Sequence, residues 1–215
     1  MSFDAAGLKT RHREIRAGQG EHLRLRLHRA LSWLARAERE REDVDACFVF
    51  LWIALHAAYA GTAGFVTAQR TQANLFLAKL LALDHEQRLR QALFEPLDGP
   101  VRALVQDRHA FAPFWQATRE HDAEADWQAA FDAVQRLAAE ARQAGDTANL
   151  LSIVLDRLQV LRDRLLHGGV TWNDARHRDR VKDGVAILGT LLPIMLDLMM
   201  DAGDETFAPI AYPAR

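Results

Sequence analysis

Leucine and alanine recur at three- and four-residue intervals along almost the whole chain, while the valine, isoleucine and threonine alternation of a half-buried strand is nearly absent. A chain patterned this way buries its apolar residues by packing helix on helix, so the expected class is all-α. A first helix is expected from about Glu21 to Glu40, with Leu23, Leu27, Ala30, Leu31 and Leu34 as its stripe. Asp43 offers an N-cap to an apolar helix. Further helices are expected over Thr71–Leu83 and Asp84–Phe94, before Glu95-Pro-Leu-Asp-Gly-Pro100 breaks the pattern. Two or three more fit residues 101–145, with Pro113 as punctuation and Trp115, Trp127 and Phe131 as packing anchors. Gly145-Asp146-Thr147 closes one helix and caps the next, Ala148 to about His167; Gly168-Gly169 stops that one. A loop, Val170–Asp174, leads to a last helix from about Arg176 to Met200, with a kink expected at Pro193. The implied organisation is a mobile basic arm (residues 1–18), one helical domain (19–203) with a helical insertion at about 84–145, and a C-terminal tail (204–215).

The 215 residues are enough for a core, and the net charge of −2 provides no bulk positive field for nucleic acid, so such a site must be a local basic patch. Cys47 is the single cysteine, which excludes an intramolecular disulfide framework and agrees with a cytoplasmic location. Nothing near the N-terminus reads as a signal peptide. Ala46–Gln69 is uncharged and long enough to cross a bilayer, but His56, Gly61 and Gly64 interrupt it and its strongly apolar part is confined to Cys47–Tyr59. A buried bundle helix is the better expectation, with no membrane partner.

One arginine stands out. On a wheel of about 100° per residue, Leu151, Leu155, Leu158, Leu161 and Leu165 share a sector, and Arg162 falls inside it. Buried alone it would cost several kcal/mol, so it must pair with an acid, snorkel out, or face a polar groove or ligand. Asp163 and His167 are one i,i+4 step apart, where the carboxylate can orient the imidazole; Arg164 is within i,i+3 reach of the same histidine. On a straight helix Arg162 and His167 lie about 140° apart, so they converge only if the helix loosens at Gly168-Gly169 or a second chain completes the site.

The segment LQVLRDRLLHGGVTWNDARHRDRVKDGVAILGTLLPIMLDLMM, with FVFLWIALHAAYAG more weakly, resembles the HEPN (higher eukaryotes and prokaryotes nucleotide-binding) family, whose hallmark is an arginine followed after four to six residues by histidine. Arg162, Asp163 and His167 fit that hallmark, with Asp163 standing where asparagine is more common. The resemblance covers two separated segments and leaves the middle third of the chain aside. It implies a four-helix-bundle core that dimerises so that two motifs face one cleft, commonly as an endoribonuclease independent of metals and cofactors. His167 would then be general acid or base, Arg162 the phosphate clamp, and Asp163 the residue holding either in register. The RNA 2′-hydroxyl would attack its phosphate, leaving 2′,3′-cyclic phosphate and 5′-hydroxyl ends. RNA, tRNA among it, a second copy of the chain, and an antitoxin or regulatory protein are the implied partners, in a toxin or defence setting. A non-catalytic module binding RNA, nucleotide or protein is the alternative.

Other residues carry open readings. Thr171, Trp172 and Asn173 either line the cleft or pack the loop back on the bundle. Arg176, His177, Arg178, Arg180 and Lys182 make either a phosphate-binding patch or a solvated helix start among Asp174, Asp179 and Asp183, Arg178 being the substrate-binding candidate. His56 is either a hydrogen-bonded core histidine or a member of the site. His109, His121 and Asp122 match no metal-ligand spacing and are expected to be solvated.

Overall fold

The computed structural model describes residues 4–61, 69–120, 126–203, 206–207, 209–210 and 212–213. Among these are ten α-helices and no strand: α1 Ala5–Ile15, α2 Glu21–Ala37, α3 Val44–Tyr59, α4 Gln69–Leu83, α5 Arg88–Phe94, α6 Asp98–Gln106, α7 Ala112–Glu120, α8 Trp127–Ala144, α9 Thr147–Leu166 and α10 Arg178–Met200. His121 and Asp122 lie outside the described residues.

Local chemistry places most of the boundaries. The Asp43 carboxylate accepts from Ala46 N at 3.0 Å and starts α3; Asp146 accepts from Asn149 N at 3.1 Å and starts α9. Gly145, at φ 66°, and Gly168, at φ 67°, end the helices before them in the left-handed conformation that glycine adopts without penalty. Asp84, expected as the first residue of a helix, instead caps α5: its two carboxylate oxygens accept from Arg88 N at 2.9 Å and Leu89 N at 2.8 Å.

α2 and α3 pack along their length, and α10 lies against α1, α2, α3, α4, α5, α6 and α9. α3 and α10 approach so closely that a Cβ on Gly184 would stand 2.7 Å from the Phe48 ring. α10 is long and apolar enough to span a membrane by length and composition, but 67% of its apolar window is buried inside the bundle; α3, the segment the sequence singled out, is a shorter apolar helix of 16 residues. α10 runs through Pro193, whose missing N–H is matched four residues earlier by Gly189 on the exposed side of the helix.

Two expectations about organisation are corrected. Residues 1–18 contain a packed helix, not a mobile arm: Ala5, Leu8 and His12 are buried, Ala5 N donates to Glu38 at 2.8 Å, and Arg11 reaches the α10 carboxylate of Asp197 at 2.5 Å. Arg88 meets the same carboxylate at 2.7 Å, so one nearly buried acid ties α1 and α5 to α10. The 84–145 segment is likewise no uniform insertion. Leu89, Leu93, Val101 and Leu104 of α5 and α6 belong to the central core, as do Ala138 and Ala141 of α8, whereas α7 and the start of α8 meet in an aromatic cluster of Phe111, Phe114, Trp115, Trp127 and Phe131. The C-terminal residues also take part: Phe207 and Ile210 are buried, and Ile210 forms a single antiparallel bridge with Gly61.

Candidate functional site

α9 presents polar groups to opposite sides. Arg162, its side chain 15% exposed, turns toward α3, with its guanidinium carbon 5.3 Å from the centre of the Trp52 ring. It forms part of a groove of about 510 Å³ whose walls include Arg26, Arg29, Trp52, His56, Gln72, Leu166 and Tyr212. Arg26 is 1% exposed and donates through Nη1 to the carbonyls of Ala58 and Ala60, each at 2.8 Å, bracketing the end of α3. Burial pulls its pKa down to about 10. His56 packs edge-on against Tyr59, ring centres 5.0 Å apart. Burial, and then the Arg162 charge, hold His56 below the ordinary histidine value, so its neutral form is favoured. Burial pushes Tyr59 up to about 12, against the pull of Arg162.

The three motif residues do not converge within one chain. Arg162 Nη1 donates to its neighbour Asp163 Oδ1 at 2.7 Å. Asp163 also lines a different cavity, toward Phe111 and Pro113. His167 is the exposed C-cap of α9, and its link to Asp163 is through the backbone, His167 N to Asp163 O at 3.0 Å. Among the described residues no side-chain hydrogen bond joins the imidazole to Asp163 or Arg162. The expected orientation of His167 by Asp163 is therefore not made, and Asp163 Oδ1 accepts from Arg162 instead. His167 nevertheless follows Leu166, which is 52% exposed and walls the Arg162 groove.

The remaining sequence candidates scatter. Arg164 turns from His167 to stack over Trp115, 4.4 Å from its ring centre, and to donate through Nη2 to His177 Nε2 at 2.9 Å. Arg180 joins the same knot: it pairs with Asp107, and its guanidinium lies 2.8 Å from His177 Nδ1 and 3.1 Å from His109 Nδ1. Burial, then Arg164 and Arg180, hold His177 below its ordinary value. His109 is thus half-buried beside Asp107, not solvated as expected. Trp172 Nε1 donates to Asp43 at 2.9 Å and Asn173 N, at φ 60°, to Asp45 at 2.7 Å, tying the loop to the N-terminus of α3. That is the packed-loop reading, although the Trp172 ring stays 73% exposed; Thr171 is exposed as well. Arg178 is half-buried on the first turn of α10, near Asp43. Of the expected phosphate patch, Arg180 is thus committed to Asp107, and Lys182 lies 3.5 Å from Asp179.

What the structure brings together is Arg162 with His56, two candidates that stand apart in the sequence. Arg26, Gln72 and Tyr212 were not foreseen. Arg26 carried the same signal as Arg162, a charge within an apolar stripe beside Leu23, Leu27 and Ala30; Gln72 and Tyr212 carried none. Chemically, the groove offers guanidinium groups for a phosphate, a neutral imidazole for proton transfer, and Trp52 and Tyr212 for stacking on a planar group. Among the described residues no three histidine, cysteine or carboxylate side chains converge as a metal site. No family model, curated protein or solved structure matches the chain.

Proposed function

We propose that the protein is a HEPN-like endoribonuclease that cleaves RNA without a metal and works as a dimer. The observation that carries this reading is the placement of Arg162 in one groove with a neutral-favouring His56, beside Trp52 and Tyr212 and with a wall at Leu166, the residue before His167. In this reaction Arg162 holds the scissile phosphate and offsets the charge that builds on it. His56 accepts the 2′-hydroxyl proton as that oxygen bonds to phosphorus. The P–O5′ bond breaks, and His167 of a second copy, protonated, delivers the proton to the departing 5′-oxygen. The products are a 2′,3′-cyclic phosphate and a 5′-hydroxyl. A twofold arrangement supplies the missing histidine to each groove, and the exposed Leu166 on the groove wall provides apolar surface for the second copy to cover.

Mixing two inactive variants tests this directly. Arg162→Ala and His167→Ala, each folded, should recover about a quarter of the parent activity when subunits exchange, because half of the dimers then carry one intact composite site. A mixture that exchanges subunits and stays inactive would remove the shared-site mechanism.

One observation favours the alternative, a binding module: Arg162 meets Asp163 within its own chain, which gives the guanidinium a counter-charge without substrate. That reading expects saturable RNA or nucleotide binding with no product formed. A toxin or defence role, with an antitoxin or regulatory protein as partner, extends the proposal, and inhibition of cleavage by a co-purifying protein would test it.

A further inference from the structure

A second arginine of α9 has a different setting. Arg157 is 2% exposed, with its guanidinium carbon 4.4 Å from the centre of the Phe111 ring and 5.2 Å from that of Phe131. Its one hydrogen bond is long, Nη1 to the Ala110 carbonyl at 3.4 Å, and Nε and Nη2 have no hydrogen-bond partner among the described residues. Asp156 and Asp107 act on it through charge alone, and burial outweighs them, bringing its pKa down to about 10. Two buried guanidinium donors left unmade are costly in a folded protein, and the ring contacts replace only part of their hydration.

Against this side chain lies a cavity of about 570 Å³, a volume that suits a small molecule. Phe111, Pro113, Val134 and Ile153 give it apolar walls, while Gln159 and the carboxylates of Asp156 and Asp163 add polar groups, so an anion is held only where the guanidinium outweighs them. We infer that this cavity is a binding site for a small organic anion, a carboxylate or phosphate monoester on an apolar or aromatic body, anchored by Arg157. The charged end completes the unpaired, covered donors of the guanidinium in a bidentate contact. The body replaces water against Pro113, Val134 and Ile153. Because both donors are covered, entry requires the Phe111 ring, itself a wall of the cavity, to move aside. The site is distinct from the Arg162 groove and does not depend on the chain cleaving RNA.

The test is titration of the purified protein with benzoate, phenyl phosphate and inorganic phosphate, followed by calorimetry and ligand-observed NMR. Saturable binding of benzoate, phenyl phosphate or both is expected, and the preferred one of the two identifies the head group. Arg157→Met should weaken that binding by about tenfold to a hundredfold, the loss expected for a charged hydrogen-bonded contact. Val134→Trp, at a half-buried position on α8, should abolish it by filling the cavity while leaving Arg157 in place. If Arg157→Met fails to fold, Val134→Trp and Arg157→Lys decide, the lysine variant keeping charge but losing the fork and binding more weakly. No saturable binding by either aromatic probe, binding of inorganic phosphate alone, or aromatic binding unchanged in the folded variants would overturn the inference.

Discussion

Arg157 and Arg162 stand on one helix five residues apart, and the bundle treats them differently. Arg162 opens onto a groove, with Asp163 as counter-charge and Trp52 beneath it. Arg157 is enclosed between two phenylalanine rings with a single long hydrogen bond. The wheel singled out only Arg162, because Arg157 falls on the flank of the leucine sector. That flank is buried too, since Leu150, Val154 and Val160 line it and α8 packs over it. Arg157 lies on the margin that the Phe131 ring of α8 covers, so an arginine there needs an explanation as much as one inside the leucine sector.

Exchange of each arginine should separate function from packing. The largest effect is expected from Arg162→Gln, which should lower RNA cleavage by about 10²–10³-fold, the usual loss when a donor to developing phosphate charge is removed, with little change in melting temperature. Comparable losses of activity and of stability would make Arg162 a structural residue instead. For Arg157 the replacement decides the sign. Arg157→Ala should cost about 2–4 kcal/mol in chemical denaturation by leaving a void. Arg157→Met should be neutral or stabilising by about 1 kcal/mol, since it removes a poorly bonded buried charge and keeps the volume. Strong destabilisation by methionine would show that the cation itself holds α9 to the aromatic cluster.

Gly184→Ala calibrates the frame that both arginines share. Its Cβ would meet the Phe48 ring at 2.7 Å, so a loss of about 1–3 kcal/mol is expected, measured as a lower denaturation midpoint. The smallest effect concerns His56. It binds its proton more weakly in the folded protein than in the unfolded one, so its contribution is intact above the ordinary value of 6.5 and is lost as pH falls through the window below it. His12 and His177 are lowered in the same direction, and the melting temperature should fall on acidification through that range. In an NMR titration Arg162→Gln should move the His56 midpoint upward, though not to its ordinary value, because burial is the larger cause. Arg157→Met should leave it in place, and an equal shift in both variants would dissolve the distinction between the two sides of α9.

The helical class and most helix ends were legible because they are set locally. Asp43 caps the helix it was expected to cap, Asp146 is the one of Asp146 and Thr147 that caps the next, and Gly145 and Gly168 stop theirs. α1 was obscured by its charges: the run Lys9 to Glu14 suggests an arm, yet Ala5, Leu8, His12 and Ile15 repeat at helical spacing. The site was legible only in part. Arg162 and His56 were each noticed, but their meeting depends on how α9 crosses α3, and Tyr212 reaches the groove from the far end of the chain. Arg164, a substrate-binding candidate within i,i+3 reach of His167 along α9, instead meets His177 from beyond the loop. Spacing reports neighbours on one helix; it does not report what a second helix brings.

The most direct measurement is cleavage of total RNA and tRNA in EDTA by the parent, His56→Ala, Arg162→Gln and His167→Ala proteins, with end-group analysis and matched melting curves. EDTA-resistant fragments carrying 2′,3′-cyclic phosphate and 5′-hydroxyl ends, lost in all three variants at unchanged stability, are the expected result. Absence of cleavage by the parent, or cleavage that persists in folded Arg162→Gln and His167→Ala, would contradict the assignment of the groove as a ribonuclease site.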